Sequence, residues 1–133
     1  MKAEEILELI DGDTLDLDSN EIGDKGCKEL ASVLIFLLLL CFRVLPRTQI
    51  KRLFLNNNKI GDKGCEELAK VLPSTQIQWL SLNNNKIGDK GCEELARVLP
   101  KTRITELYLI ENNISIEVAK KLKESFTNID ICI

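Results

Sequence analysis

The strongest constraint on this chain is that it repeats itself. "LFLNNNKIGDKGCEELAKVLP" begins at Leu53, and "LSLNNNKIGDKGCEELARVLP" begins at Leu80. A looser copy, "LYLIENNISIEVAKKLKESF", begins at Leu107, and an earlier one, "LDLDSNEIGDKGCKELASVL", at Leu15. The last two intervals are 27 residues each, while the first is 38, a surplus of 11 that fits "IFLLLLCFRVL" at 35–45. A fixed period of this size marks stacked supersecondary units, each too small to bury its own apolar face.

Each unit reads as strand, turn and helix. In Ile50-x-x-Leu53-x-Leu55-x-x-Asn58-x-Ile60 the apolar residues alternate, which predicts a strand with one buried face. Gly61-Asp62-Lys63-Gly64 interrupts it, and Asp62 is expected to N-cap the following helix. Cys65, Leu68, Ala69 and Leu72 recur at helical spacing, and Pro73 ends the helix. Stacking such units predicts one parallel sheet with all helices on its other side. The Asn at 20, 58, 85 and 112 is expected to satisfy backbone groups of the turn and to link to the next repeat. That is a structural role, not a catalytic one.

Leu-x-x-Leu-x-Leu-x-x-Asn-x-Ile-Gly-Asp-x-Gly followed by a Leu-Ala helix resembles the ribonuclease-inhibitor type of leucine-rich repeat, over about residues 12–126. Similar units occur in Ran GTPase-activating proteins and in the sensor arms of nucleotide-binding immune receptors. The resemblance implies an α/β solenoid, a right-handed βα superhelix of about four repeats. The parallel sheet would line the concave face and the helices the convex face. It also implies binding to protein partners, with no cofactor. The expected organisation is one domain over 1–133: an N-terminal cap at 1–14, repeats from about 15, 53, 80 and 107, an apolar insertion at 35–45 and a C-terminal cap at 115–133. Within the caps, "AEEILELI" at 3–10 reads as an amphipathic helix and "IDICI" at 129–133 as a closing strand.

Composition removes several function classes. The net charge is −3, and Lys and Arg are scattered, which argues against nucleic acid. There is no His, the commonest general acid–base and metal ligand. No nucleophile–base pair, phosphate-cradling Gly loop or zinc pattern is present, so no small-molecule substrate is expected. "DGDTLDLDSNE" fails as a calcium loop: the sixth residue counted from Asp16 is Glu21 rather than Gly, and the twelfth is Cys27 rather than Glu. Residues 1–10 are charged and helix-like, unlike a secretory signal. Cys27, Cys65 and Cys92 recur inside the repeat and read as small core fillers in a reducing, cytoplasmic setting.

With the Leu residues inward, the positions between them point out of the sheet. Arg52, Trp79 and Glu106 form one outward column with Thr14. Phe54, Ser81 and Tyr108 form the next with Asp16, and Asn56, Asn83 and Ile110 a third with Asp18; Glu111 follows in a fourth. Phe54, Trp79 and Tyr108 are three of six aromatic residues, and outward aromatics are what interfaces use as anchors. These ten residues, Arg52 to Glu111, are the expected contacts of a protein partner. A GTPase-regulating role, after Ran GTPase-activating proteins, is the alternative.

The surplus block raises a separate question. Eleven residues turn a helix by about three turns plus 20°, so an uninterrupted helix from about 25 to 45 keeps its phase. The uncharged apolar run within it, Leu34 to Phe42, is too short for a membrane span, which needs about 20 residues. Peripheral attachment to a membrane through 34–42 is a further alternative, although few basic residues flank it. Burying an apolar side chain is worth about 1.5–3 kcal/mol, so something is expected to cover Ile35, Phe36, Leu38, Leu39 and Phe42. A second copy of the chain is the preferred cover; a fold-back over the first repeat, or extra coding material without function, are the others.

Overall fold

The computed structural model describes residues 1–43 and 49–133, with side chains between them described up to Leu39 and from Gln49. Six strands form one sheet in chain order: β1 (Ile10–Asp11), β2 (Thr14–Asp16), β3 (Arg52–Phe54), β4 (Trp79–Ser81), β5 (Glu106–Tyr108) and β6 (Asp130–Cys132). β2 to β6 are all parallel. Their register preserves the repeat, so that Leu15, Leu53, Leu80, Leu107 and Ile131 lie abreast. The pairing continues past the short strands through Leu17, Leu55 and Leu82, whose N–H groups donate to Phe54, Ser81 and Tyr108 of the next repeat.

Four helices cover the back of the sheet: α2 (Gly23–Arg43), α3 (Asp62–Val71), α4 (Asp89–Val98) and α5 (Ile116–Ser125). A single core runs between the layers, and Leu15, Leu17, Leu53, Leu55, Leu80 and Leu82 are fully buried in it. Adjacent strands sit about 4.8 Å apart, whereas packed helices sit about 8–10 Å apart. A stack of such units must bend toward its strands, and this makes the sheet face concave.

The N-terminal cap is more than the expected helix over 3–10. α1 ends at Glu8 (Ala3–Glu8) and buries Ile6, after which β1 turns back to pair antiparallel with β2. The chain thus closes the first sheet edge with its own backbone. At the other end "IDICI" contains β6, which pairs parallel with β5.

The expected N-cap role of Asp62 is corrected. Gly61 is the N-cap of α3 and Asp62 is its first residue. The carboxylate instead reaches forward: Asp62 Oδ1 accepts from Gly88 N at 2.8 Å and Gly91 N at 2.9 Å, capping α4. Asp24 does the same for α3, accepting from Gly61 N at 2.7 Å and Gly64 N at 2.9 Å. Free N–H groups at a helix start attract a carboxylate wherever it comes from. A sequence pattern shows the cap residue but not which helix it caps.

The Asn residues link in the opposite direction from the one expected. Asn85 Oδ1 accepts from Asn58 N and Ile60 N of the preceding repeat, both at 3.0 Å. Its Nδ2 donates to Leu55 O at 2.9 Å and to Leu82 O at 3.0 Å. Asn58 repeats this toward the first repeat, through Asn20 N, Ile22 N and Leu17 O. Asn20 has no preceding repeat and is exposed, and its Nδ2 bonds only locally, to Asp18 O.

α2 absorbs the surplus. It spans 21 residues against 10 in α3 and begins two residues earlier than expected. Val33 and Leu34 occupy the buried places that Val71 and Leu72 hold one repeat later. Beyond them the helix continues to Arg43, burying Leu37. The expected end near 45 and the return "PRTQIK" fall in part on 44–48, outside the described residues.

α5 departs from its neighbours for a local reason. Gly64 and Gly91 let α3 and α4 approach the preceding helix: a Cβ on Gly91 would lie 2.7 Å from Asp62 Oδ1. The equivalent position in the last repeat is Val118. Its side chain holds α5 off, so Asp89 reaches only Ser115 N, at 2.6 Å, and Val118 N is capped by Ser115 Oγ at 3.4 Å. A groove of about 340 Å³ opens between α4 and α5.

Candidate protein-binding face

The register settles which side chains share the open face. Thr14, Arg52, Trp79, Glu106 and Asp130 form one column, with Asp11 added by β1. Asp16, Phe54, Ser81, Tyr108 and Cys132 form the second. The first two expected columns therefore lie in register; β6 lengthens both and β1 the first.

The aromatic residues come together. Phe54 and Trp79 have ring centroids 6.1 Å apart at 50°, and Trp79 and Tyr108 stack at 5.2 Å and 18°. Trp79 thus bridges the gap that small Ser81 leaves between Phe54 and Tyr108 in their column. All three rings are half-buried, forming a continuous apolar strip across β3, β4 and β5. Tyr108 OH donates to Glu106 Oε2 at 2.9 Å, and this bond, with desolvation, raises the phenol to about 12. Trp79 Nε1 is buried and has no acceptor among the described residues. A buried donor left unpaired is uncommon in a finished interior.

Ser81 does not serve as an expected contact. It is only 4% exposed and its Oγ donates to Asn56 Oδ1 at 2.7 Å. Asn56 and Asn83 are also engaged within the sheet. Asn56 Oδ1 accepts from Asn83 N at 2.8 Å, and Asn83 Oδ1 accepts from Ile110 N at 2.8 Å. Asp18 starts this ladder by accepting from Asn56 N at 2.7 Å. The third column therefore extends strand pairing beyond the short strands, which the outward alternation alone did not reveal. Ile110 and Glu111 remain exposed at its end.

Arg52 is exposed and lies 3.1 Å from Asp13 Oδ1. Desolvation pushes the Asp13 carboxyl up, but the hydrogen bond and charge of Arg52 outweigh it and hold the group below its ordinary value. Asp13 takes the place that Lys51, Gln78 and Thr105 hold in later repeats, none of them acidic, and sequence reasoning missed it; the turn "DGD" gave no sign of a cross-strand partner. Asp13, Arg52, Trp79 and Glu106 line one shallow depression of about 300 Å³ on this face.

The helix side holds the residues expected to be covered. Ile35, Phe36 and Leu39 are 44%, 51% and 64% exposed, and Leu38 is half-buried. The side chain of Phe42 lies outside the described residues. Cys27, Cys65 and Cys92 are fully buried thiols. Burial raises Cys27 to about 12 and Cys92 to about 11, and Cys65 is pushed up as well, so none is a ready nucleophile.

Comparison with known proteins agrees with this architecture. The family model described as "Leucine Rich repeat" matches residues 14–31, 49–69 and 77–96. No curated protein matches the chain. Among solved structures, the chain is similar to leiomodin-1 actin-binding site 2, with a TM-score of 0.73 over 98% of this chain and 75% of that one, at 18% identity. A likeness at that identity speaks for the fold: an α/β leucine-rich repeat solenoid.

Proposed function

We propose that this leucine-rich repeat protein is a non-enzymatic module that holds a protein partner on its concave sheet face. The observation that carries the reading is the strip of Phe54, Trp79 and Tyr108, half-buried and open on one side. The indole N–H at its centre, without an acceptor among the described residues, supports it. Arg52, Glu106, Ile110 and Glu111 would flank the contact, and Asn56 and Asn83 would shape it from within. The repeats are of the ribonuclease-inhibitor type, on the Asn-x-Ile-Gly-Asp-x-Gly turns, and the buried reduced thiols suit a cytoplasmic protein.

Actin is the first purified partner to try, because the similar leiomodin-1 segment is itself an actin-binding site. Against any partner that binds, Trp79→Ala with Tyr108→Ala is expected to weaken capture at least thirtyfold, the scale of aromatic hot spots. Circular dichroism of the double variant should match that of the parent. Undiminished capture would refute the assignment. Regulation of a small GTPase is the second reading, decided by single-turnover GTP hydrolysis.

The strip of Ile35, Phe36 and Leu39 on α2 supports pairing with a second copy of the chain through 35–45. Light scattering is expected to give a dimer for the parent and a monomer for Phe36→Glu with Leu39→Glu. A monomeric parent at high micromolar concentration would overturn this. Among the described residues no helix is long and apolar enough to cross a membrane. Flotation with liposomes tests peripheral attachment through 34–42.

A further inference from the structure

The open sheet face is charged far out of proportion to the rest of the molecule. Its three columns hold five carboxylates: Asp11, Asp16, Asp18, Glu106 and Asp130. Against these stands the guanidinium of Arg52, which is itself bonded to the further carboxylate of Asp13, with the Lys51 ammonium beside them at the rim of the same depression. The whole chain carries only −3, so this face holds more than the entire net charge. The carboxylates are not gathered into one cluster. They flank the aromatic strip: Asp11 and Asp16 on the first strands, Glu106 and Asp130 on the last two.

We propose that the partner presents a positively charged, arginine-bearing segment, with an arginine held at the Tyr108 end of the strip between Glu106 and Asp130. This rests on the concave face being the binding surface. The ring strip ends at Tyr108, because the next position in its column is the small Cys132. Asp130 stands beside Glu106 in the neighbouring column. An aromatic ring next to two carboxylates suits a guanidinium: its flat face stacks on a ring and its N–H fork bonds carboxylate oxygens. A lysine ammonium brings the charge without the flat face or the fork. An acidic segment would meet like charge on both flanks of the strip.

The test uses the only tryptophan of the chain, Trp79, as a reporter inside the site. Nona-arginine, nona-lysine and nona-glutamate peptides are titrated into the intact protein while Trp79 emission is followed. Nona-arginine is expected to change the emission, to weaken as salt rises and to bind severalfold tighter than nona-lysine; nona-glutamate is expected to be silent. Glu106→Gln with Asp130→Asn should weaken nona-arginine at least tenfold. Glu93→Gln with Glu117→Gln, on the helix side, should leave it unchanged. Equal loss in both variants would mean diffuse attraction and overturn the proposal, as would full binding by Glu106→Gln with Asp130→Asn, or an emission change with nona-glutamate. Such a result, if partner capture still fails in Trp79→Ala with Tyr108→Ala, removes the charge preference and keeps the binding face. Capture that survives those two substitutions removes both.

Discussion

Asn85→Ala is expected to destabilise the protein by about 3–5 kcal/mol, read as a shift of the urea midpoint. A buried polar group left without its partner costs about 1–3 kcal/mol. This substitution strands Asn58 N, Ile60 N and the carbonyl of Leu55 at once, in a part of the structure closed to water. A small domain has about 5–15 kcal/mol in all, so the variant would fold poorly at 37 °C. Asn20→Ala is the internal control. It changes the same repeat position, but the side chain is exposed and makes only a local bond, so its effect should stay within about 0.5 kcal/mol. Equal effects at 20 and 85 would mean that the repeated Asn works within its own turn rather than across the repeat junction.

Gly64→Val is expected to cost about 3 kcal/mol by crowding. A Cβ at this position would lie 2.6 Å from Ile60 Cγ2, 2.7 Å from Asp24 Oδ1 and 3.0 Å from Cys27 Sγ. Asp24 Oδ1 has no freedom to retreat, since it accepts from both Gly61 N and Gly64 N. Gly64→Ala should cost less, because alanine returns up to about 1 kcal/mol in helix propensity. The last repeat already carries the comparison, since Val118 occupies this position and α5 stands away from α4. Thermal denaturation of Gly64→Val and Gly64→Ala beside the parent checks the order. A variant as stable as the parent would show that α2 and α3 do not depend on this close approach.

Much of the fold was legible because the repeat multiplies every signal. The Leu columns and the placing of Phe54, Trp79 and Tyr108 on one face follow from alternation and a period of 27, and "IDICI" read as a strand on its own alternation; the stacking of the rings on one another did not show in the sequence. What escaped were bonds between repeats. Asp62 looked like a cap for its own helix because local spacing cannot distinguish capping in cis from capping in trans. Ser81, Asn56 and Asn83 looked like contacts because outward direction was taken for exposure. In a parallel stack the neighbour is only one strand away, and short polar side chains reach it before any partner does. Asp13 escaped because Arg52, its partner besides the adjacent Thr14, is brought near by pairing across 39 positions.

Every junction between internal repeats is fastened from both sides at matching positions: a carboxylate reaching forward and an amide reaching back. The second and third units are nearly the same text, so either could sit beside a further twin and find all its fasteners waiting. Genetic duplication or loss of a whole unit would then leave no loose ends, whereas a shift of reading by even a few residues inside a unit would misalign every fastener at once. Such a scaffold can change its length in evolution without being redesigned.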